Sequence, residues 1–517
     1  MKFFKVGLFK FRQVQLPLLA IAWGACFSLT CGAQLTPAMS QWLDWENHAN
    51  HATHKDKRNV SEHFPLFHYE IPVKYLDPES YKLNLAPNIE GVLFFRKDGQ
   101  EYIRWPINPE DTLFAEKIQE WLKIKGLDST PKQYFHGHLT ASRSLIVEAP
   151  GPVFFSAKVS TNHTAGKFHK HKDVDKEQIL ESMSSTRLAQ NVQENGNIKF
   201  EVLTLLEETG GFLLDMKRDI PRKKLASEGW EQGLIIRDLG PLVTNHKLYL
   251  PGFSVLNDEV GVQLAALNGS SSPVDYWTQN YIIPVARASA ELSAHLGLSM
   301  TSSHNQQWLV ELDPQQRPTG KIVLRDFNDS SIFVPFFQNE ADEFDLEFVK
   351  LMGMEKKYRR KDLWLQMGLF HGMGKLPSWL DRKGIRKMQK AFFQAFEAQY
   401  SRSTGIPLAV LRAKSPLLLD PPHYSSNSYR PQLVPKKKGQ NQIIEAWNTY
   451  LIFAPCFRGK ETLRIGGKTY RCKDVLESIQ SKTKEIQAEF NSCKKDDDYI
   501  KYKNTYVEKI LDEIEEY

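Results

Sequence analysis

Two periodicities divide this chain, and they limit what it can fold into. From Phe64 to Asp326 the apolar residues come in short runs broken by turn residues, as in GVLFFRKDGQEYIRW (91–105). There, apolar runs on either side of Asp-Gly predict a β-hairpin. Beyond Asp329 the apolar residues recur at helical spacing, in segments 342–373 and 382–403. A strand-rich body followed by a mainly helical lobe is an α+β chain, and its 517 residues exceed one ordinary core.

Other elements follow from local signals. DTLFAEKIQEWLKIKG (111–126) predicts an amphipathic helix, with Asp111 at its start and Gly126 at its end. RSLIVEA and GPVFFSAKVS predict successive strands, and QILESMSSTRLAQNVQ (178–193) a helix. IKFEVLTLLEE, GLIIRDL and VGVQLAAL predict further strands or short buried segments. Residues 275–298 predict a helix, and YVEKILDEIEEY a last one. The polar stretch from Leu35 to Glu62 reads as a linker. Its histidines His48, His51 and His54 would share a helical face if that stretch were helical, the spacing a metal could use. The Lys- and His-rich segment 162–178 reads as an exposed loop.

The chain carries 67 basic and 61 acidic residues, a net charge of +6. That excess is small for this length and gives no argument for nucleic-acid binding. Five cysteines occur without a CxxC pair, which counts against a thiolate zinc site. In an oxidising compartment Cys456 could bridge Cys472; free thiols are the other outcome. The start, with Lys2, Lys5, Lys10 and Arg12 before LPLLAIAWGACFSLTCGA, has the pattern of an export leader cleaved after Ala33. If uncleaved, it would place the chain in contact with a membrane.

One set of charged residues points to chemistry. Arg143 precedes a strand, Lys158 lies within the next, and Arg187 lies on the following helix. Ser142 sits beside Arg143. His304 and Gln307 open a hairpin whose second strand ends in Arg325 and Asp326. Cations that offset phosphate charge, a strand-end carboxylate able to hold Mg2+, and amides able to orient a nucleotide are the parts an ATP site needs.

The stretches TASRSL, SAKVS, SSTRLAQ, SSHNQQWLVELD and IVLRDF resemble, in that order, the motifs of the siderophore synthetases that work without a non-ribosomal peptide synthetase, the aerobactin-synthetase-like family. The resemblance runs from about Gly137 to Pro455. LAVLRAKSPLLLDPP is similar to that family's ferric-reductase-like C-terminal lobe. Gln307 stands where the family has asparagine, and Ser142 lies one place from the family's serine. The family's His-Pro-x-His-Pro-like motif has only FHGHL as an echo.

The resemblance implies a kinase-like nucleotide-binding palm built on mixed or antiparallel sheets, with a helical C-terminal thumb. With the leader pattern at the start, the chain divides into a leader (1–33), an N-terminal region (34–135), palm and fingers (136–335) and helical lobe (336–517). The resemblance implies an AMP-forming ligase that joins a citrate-like polycarboxylic acid to an amine or hydroxyl through an acyl-adenylate, using ATP and Mg2+. Arg143, Lys158, Arg187 and His304 would be catalytic. Ser142, Lys158, His304, Gln307, Arg325 and Asp326 would bind the nucleotide, with Asp326 on the metal. The partners implied are small molecules, with a homodimer left open. Two alternatives stay open: a degenerate relative that binds a nucleotide, metabolite or ferric chelate without turnover, and a kinase-like effector. ATP use points to the cytoplasm, whereas the leader points to export or membrane anchoring.

Overall fold

A computed structural model of the chain describes residues 35–49, 64–77, 80–82, 84–140, 143–151, 153–162, 173–196, 198–225, 229–243, 246–300, 305–326, 330–332, 377–413, 423–424, 433–434, 452–465 and 468–492, with positions 511 and 514. The architecture is α+β. The strands in chain order begin β1 (Phe64–Pro72), β2 (Tyr81–Lys82), β3 (Phe94–Lys97), β4 (Gln100–Pro106), β5 (Lys132–Leu139), β6 (Ser144–Ala149) and β7 (Val153–Val159). There follow β8 (Leu203–Leu205), β9 (Glu208–Asp215), β10 (Glu231–Asp238), β11 (Leu248–Pro251), β12 (Leu298–Met300), β13 (Trp308–Leu312) and β14 (Pro318–Leu324). Nine of these form one sheet in the order β2-β9-β10-β7-β6-β5-β1-β4-β3, antiparallel at every pairing. A second sheet runs β11-β13-β14-β8.

The β3–β4 hairpin turns at Asp98 and Gly99, as their alternation predicts. Both have positive φ, 52° and 75°, the requirement of a tight turn that follows strand twist. The predicted amphipathic helix spans Leu113–Ile124. The Asp111 carboxylate accepts the N–H groups of Phe114 (3.2 Å) and Ala115 (2.8 Å), and Gly126 takes φ 66° at the other end. This helix buries Ile118, Trp121 and Leu122 against one face of the large sheet, together with Leu66, Ile71, Phe135, Val147, Phe155 and Ile236.

The opposite face is covered near β9 and β10 by the helix Lys176–Gly196. That helix lies close because two strand residues lack side chains. A Cβ on Gly233 would stand 2.6 Å from Val174 Cγ1 and 2.7 Å from Ile179 Cδ1, and one on Gly211 would stand 2.9 Å from Ile179 Cγ2. Further along this face, Ile146 and Phe154 pack against the second sheet and against Met39, Trp42 and Leu43 of the helix Pro37–Ala49. The expectation of a linker after Leu35 is therefore corrected at its start. Met39, Trp42 and Leu43 recur at helical spacing and bury, and Thr36 Oγ1 accepts the Met39 N–H at 3.2 Å. His48 ends up on that helix; His51 and His54 lie outside the described residues.

VGVQLAAL is a helix (Val260–Leu267) rather than a strand. The helical stretch 275–298 is broken by a π-helical turn at Thr278–Ile282, next to Pro284, which has no N–H to give. Helix Ile283–Leu296 packs on helix Arg382–Thr404, where Phe392, Phe396 and Tyr400 stack one turn apart. Glu291, fully buried, takes the backbone N–H groups of Glu201, Val202 and Leu203 at 2.9–3.2 Å and so ties this helical layer to the start of β8. Cys456 and Cys472 form a disulfide, joining helix Ala454–Phe457 to the start of helix Cys472–Ser492. Segment 342–373 lies outside the described residues, as does YVEKILDEIEEY apart from Leu511 and Ile514. Among the described residues no helix is long and apolar enough to cross a membrane.

Candidate functional site

The two sheets meet where the chain crosses from one to the other. β8 pairs in parallel with β14, and the Leu206 N–H donates to the Leu324 carbonyl at 2.9 Å. Glu208 then opens β9 in the large sheet. The crossing sets Glu208 beside the end of β14, and Asp326 follows two residues after that end. Lys158 and Arg237 reach the same place from β7 and β10. Ile235 lies opposite Lys158 and Arg237 opposite Ser156, so alternation points both cations to one face.

The result is a buried charge cluster. Lys158 Nζ and Arg237 Nη2 each lie 2.6 Å from Asp326 Oδ1. Arg237 Nε donates to Glu208 Oε1 at 3.0 Å, and Nη2 donates to the same oxygen. The hydroxyl of Ser182 donates to the other Glu208 oxygen, and the Glu208 N–H donates to Thr186 Oγ1 at 3.2 Å. Lys158, Glu208 and Arg237 are buried, whereas the Asp326 side chain keeps 31% of its surface exposed. The cluster is thus open to solvent on the Asp326 side. Charges this deep require partners, because an unpaired one carries its full desolvation cost.

Desolvation alone would push the Asp326 carboxyl up. Lys158 and Arg237, with a further contribution from Arg143, outweigh it and hold the group well below the usual carboxylate range. For Arg237 desolvation works the other way, but Asp326 and Glu208 raise it above its ordinary value, so it stays charged at any working pH. The Asp326 backbone is also constrained. Its φ is 61°, in the left-handed region that Asp and Asn tolerate better than most residues, and the Gln307 side-chain amide donates to its carbonyl at 3.0 Å.

The other sequence-derived candidates take distinct places. Arg143 precedes β6, half-buried, and donates to the Asp173 carbonyl. Arg187 lies on the helix that carries Ser182 and Thr186, half-buried. Gln307 is buried and holds the Asp326 backbone. Arg325 donates to the Gln306 carbonyl (2.8 Å) and to Glu46 Oε1 (2.7 Å), and Trp42 Nε1 donates to Glu46 Oε2 at 3.2 Å. Ser142 and His304 lie outside the described residues. Among the described residues, no three His, Cys, Asp or Glu side chains gather as a metal cluster. The motifs did not single out Arg237 and Glu208. The signal for them was a charge inside an apolar strand, in GLIIRDL and at the head of EETGGFLLD, where only pairing makes burial tolerable.

No protein-family model matches the chain, and no curated protein matches it. Solved structures do. The petrobactin biosynthesis protein AsbB from Bacillus anthracis str. Sterne is 14% identical with a TM-score of 0.50, over 79% of this chain and 77% of that one. Aerobactin synthetase IucA from a hypervirulent pathotype of Klebsiella pneumoniae is 14% identical with a TM-score of 0.43, over 68% of this chain and 64% of its own. Its ATP-bound form gives 14% and 0.44 over 68% and 65%. The chain therefore spans about two thirds of the aerobactin synthetase. The likeness to AsbB gives this chain its fold.

Proposed function

We propose that this chain is an ATP-dependent siderophore synthetase, an AMP-forming ligase that joins a citrate-like polycarboxylic acid to an amine or hydroxyl. The observation that carries the reading is the convergence of Lys158 and Arg237 on Asp326, in a fold shared with a petrobactin biosynthesis protein. In this reading the two sheets form a kinase-like palm, and helices Ile283–Leu296 and Arg382–Thr404 belong to the thumb.

The proposed reaction has two displacements. A substrate carboxylate oxygen attacks the α-phosphorus of ATP, the bond to the bridging oxygen breaks, and pyrophosphate leaves. The amine nitrogen or hydroxyl oxygen then attacks the acyl carbon, loses a proton and expels AMP. A carboxylate cannot lose oxide, whereas AMP is a good leaving group. Lys158 and Arg237 would offset the charge gathering on the phosphate oxygens from a site already shaped for an anion. Arg237 gives its hydrogen bonds from a fork fixed by Glu208. Arg143 and Arg187 would add cationic field, and Ser142 and His304 would bind the nucleotide or the reacting carboxylate.

In this reading Asp326 would be the residue that holds Mg2+. Both described cation contacts fall on Asp326 Oδ1, which leaves Oδ2 as a ligand atom. Mg2+ is commonly held by one or two carboxylates plus phosphate oxygens and water, and when bound it neutralises polyphosphate charge.

A second reading, nucleotide binding without turnover, draws on Gln307 and Arg325, whose polar groups are taken up by backbone and Glu46 contacts. The test is AMP and pyrophosphate formation from ATP with citrate and a diamine. The ligase reading expects both products, with Lys158→Ala slower by orders of magnitude. Nucleotide binding with neither product would leave the second reading standing. We further propose that location follows the N-terminus. Soluble cytoplasmic protein beginning at Met1 would fit ATP use, and protein beginning at Gln34 outside the cytoplasm would fit an export leader.

A further inference from the structure

Away from the charge cluster, helix Pro37–Ala49 and helix Val260–Leu267 leave a cavity of about 590 Å³ between them, lined also by Gln316 of the β13–β14 turn. Its buried lining is apolar, formed by Trp45, Val260 and Leu264. Its outer lining carries two exposed carboxylates, Asp44 and Glu259. Leu267 lines it too, and at 65% exposure is the most exposed large apolar side chain among the described residues. The described lining holds no Lys, Arg or His, in a chain whose net charge is +6. The cation next to it in sequence, Arg317, is paired with Asp313 at 2.8 Å. The rim is preformed: the Gln316 N–H donates to the Asp313 carbonyl at 2.8 Å, and the Gln316 carbonyl accepts the Asn268 side-chain amide at 3.2 Å. Asn268 caps the end of helix Val260–Leu267, so turn and helix are joined.

Charge and shape together select the ligand. An anion would meet two like charges and no described cation. A bare metal ion would leave most of the volume and the Leu267 side chain uncovered, and the described residues gather no three metal-ligating side chains. An organic cation with an apolar body matches both parts of the lining, its head at the carboxylates and its body on Leu264 and Leu267. The Trp45 indole adds attraction for a positive charge. We propose that this cavity is a binding site for a hydrophobic organic cation, an ammonium head on an alkyl or aryl body. The site is separate from the charge cluster, and its chemistry needs no step of the ligase reaction. A bound cation would join the two helices and so raise the melting temperature of the chain.

The probes are n-hexylammonium, its neutral match n-hexanol, and the shorter n-butylammonium, each titrated into the full chain by saturation-transfer NMR. We expect saturable hexylammonium binding, with hexanol about tenfold weaker because it forgoes both carboxylates. Butylammonium, two methylenes shorter, should bind about fivefold more weakly than hexylammonium. Asp44→Asn and Glu259→Gln should each weaken hexylammonium about threefold and leave hexanol unchanged. Leu267→Ser should weaken hexylammonium and hexanol alike. Thermal unfolding establishes that each variant is folded, and either carboxylate variant suffices for the decision. Equal affinity for hexanol and hexylammonium, hexylammonium binding unmoved in a folded carboxylate variant, or no saturable binding overturns the proposal.

Discussion

Arg237 is held by two carboxylates of unequal standing. Glu208 is fully enclosed, so removing its partner leaves a buried charge uncompensated. Arg237→Met should therefore destabilise the fold by about 3–5 kcal/mol in denaturant unfolding. Lys158→Met should cost clearly less, because Asp326 keeps Arg237 and its own contact with water. A comparable loss in both would show that Glu208 is not the anchored partner. The sequence singles out Lys158 inside one strand motif and Asp326 at the end of another. It does not single out Arg237 and Glu208: 29 positions separate them, and only the pairing of β9 with β10 makes them neighbours.

His68 and His295 set a pH dependence away from the site. Burial, with Arg104 and Lys132 near His68 and Arg458 near His295, lowers each to about 4 from an ordinary 6.5; Glu70 and Glu201 oppose this. The unfolded chain thus binds protons between pH 6.5 and 4 that the folded chain refuses. Their contribution to stability is complete above pH 6.5 and falls away as pH drops toward 4. The melting temperature should decline over that window. His68→Phe, placed among Tyr134 and Phe135, should flatten the decline, and an unchanged slope would remove His68 from the account.

At the level of elements, the β3–β4 hairpin and the Leu113–Ile124 helix could be read directly, since turn and cap residues act over a few positions. The helix Pro37–Ala49 could not be separated from the polar run after it, because its stripe is short and its partners, Ile146, Phe154 and Val323, come from distant strands. The close seat of helix Lys176–Gly196 also depends on tertiary contact. Nothing local requires glycine at 233, where the backbone is ordinary, yet the neighbours leave no room for a Cβ. Gly233→Ala should cost about 1–3 kcal/mol by overpacking against Val174 and Ile179. Recovery of stability on adding Val174→Ala would locate the strain; no recovery would place it elsewhere.

Across the whole molecule, the paired sheets meet packed helices drawn from both sides of Asp329, Ile283–Leu296 before it and Arg382–Thr404 after it. The contacts between those layers were not visible beforehand. Glu291 binds three backbone amides almost ninety residues away, a match that no spacing rule encodes. The Cys456–Cys472 bridge, left open by the sequence, closes a separation of 16 residues. Paired Cys456→Ala and Cys472→Ala replacements should lower stability by about 3 kcal/mol, most plainly in the packing around helix Cys472–Ser492. An unchanged melting temperature would make the bridge dispensable.

The tether from Glu46 to Arg325 gives the amino-terminal helix a share in the architecture of a charge cluster assembled almost three hundred residues later. Proteolytic trimming at Ala33 would spare Met39, Trp42 and Glu46 together. A cut a few turns further in would withdraw a wedge from between the sheets and set Arg325 adrift beside the carboxylate it helps to frame. Any shortening of the chain that kept this tether would have to stop before Met39, a boundary fixed by packing.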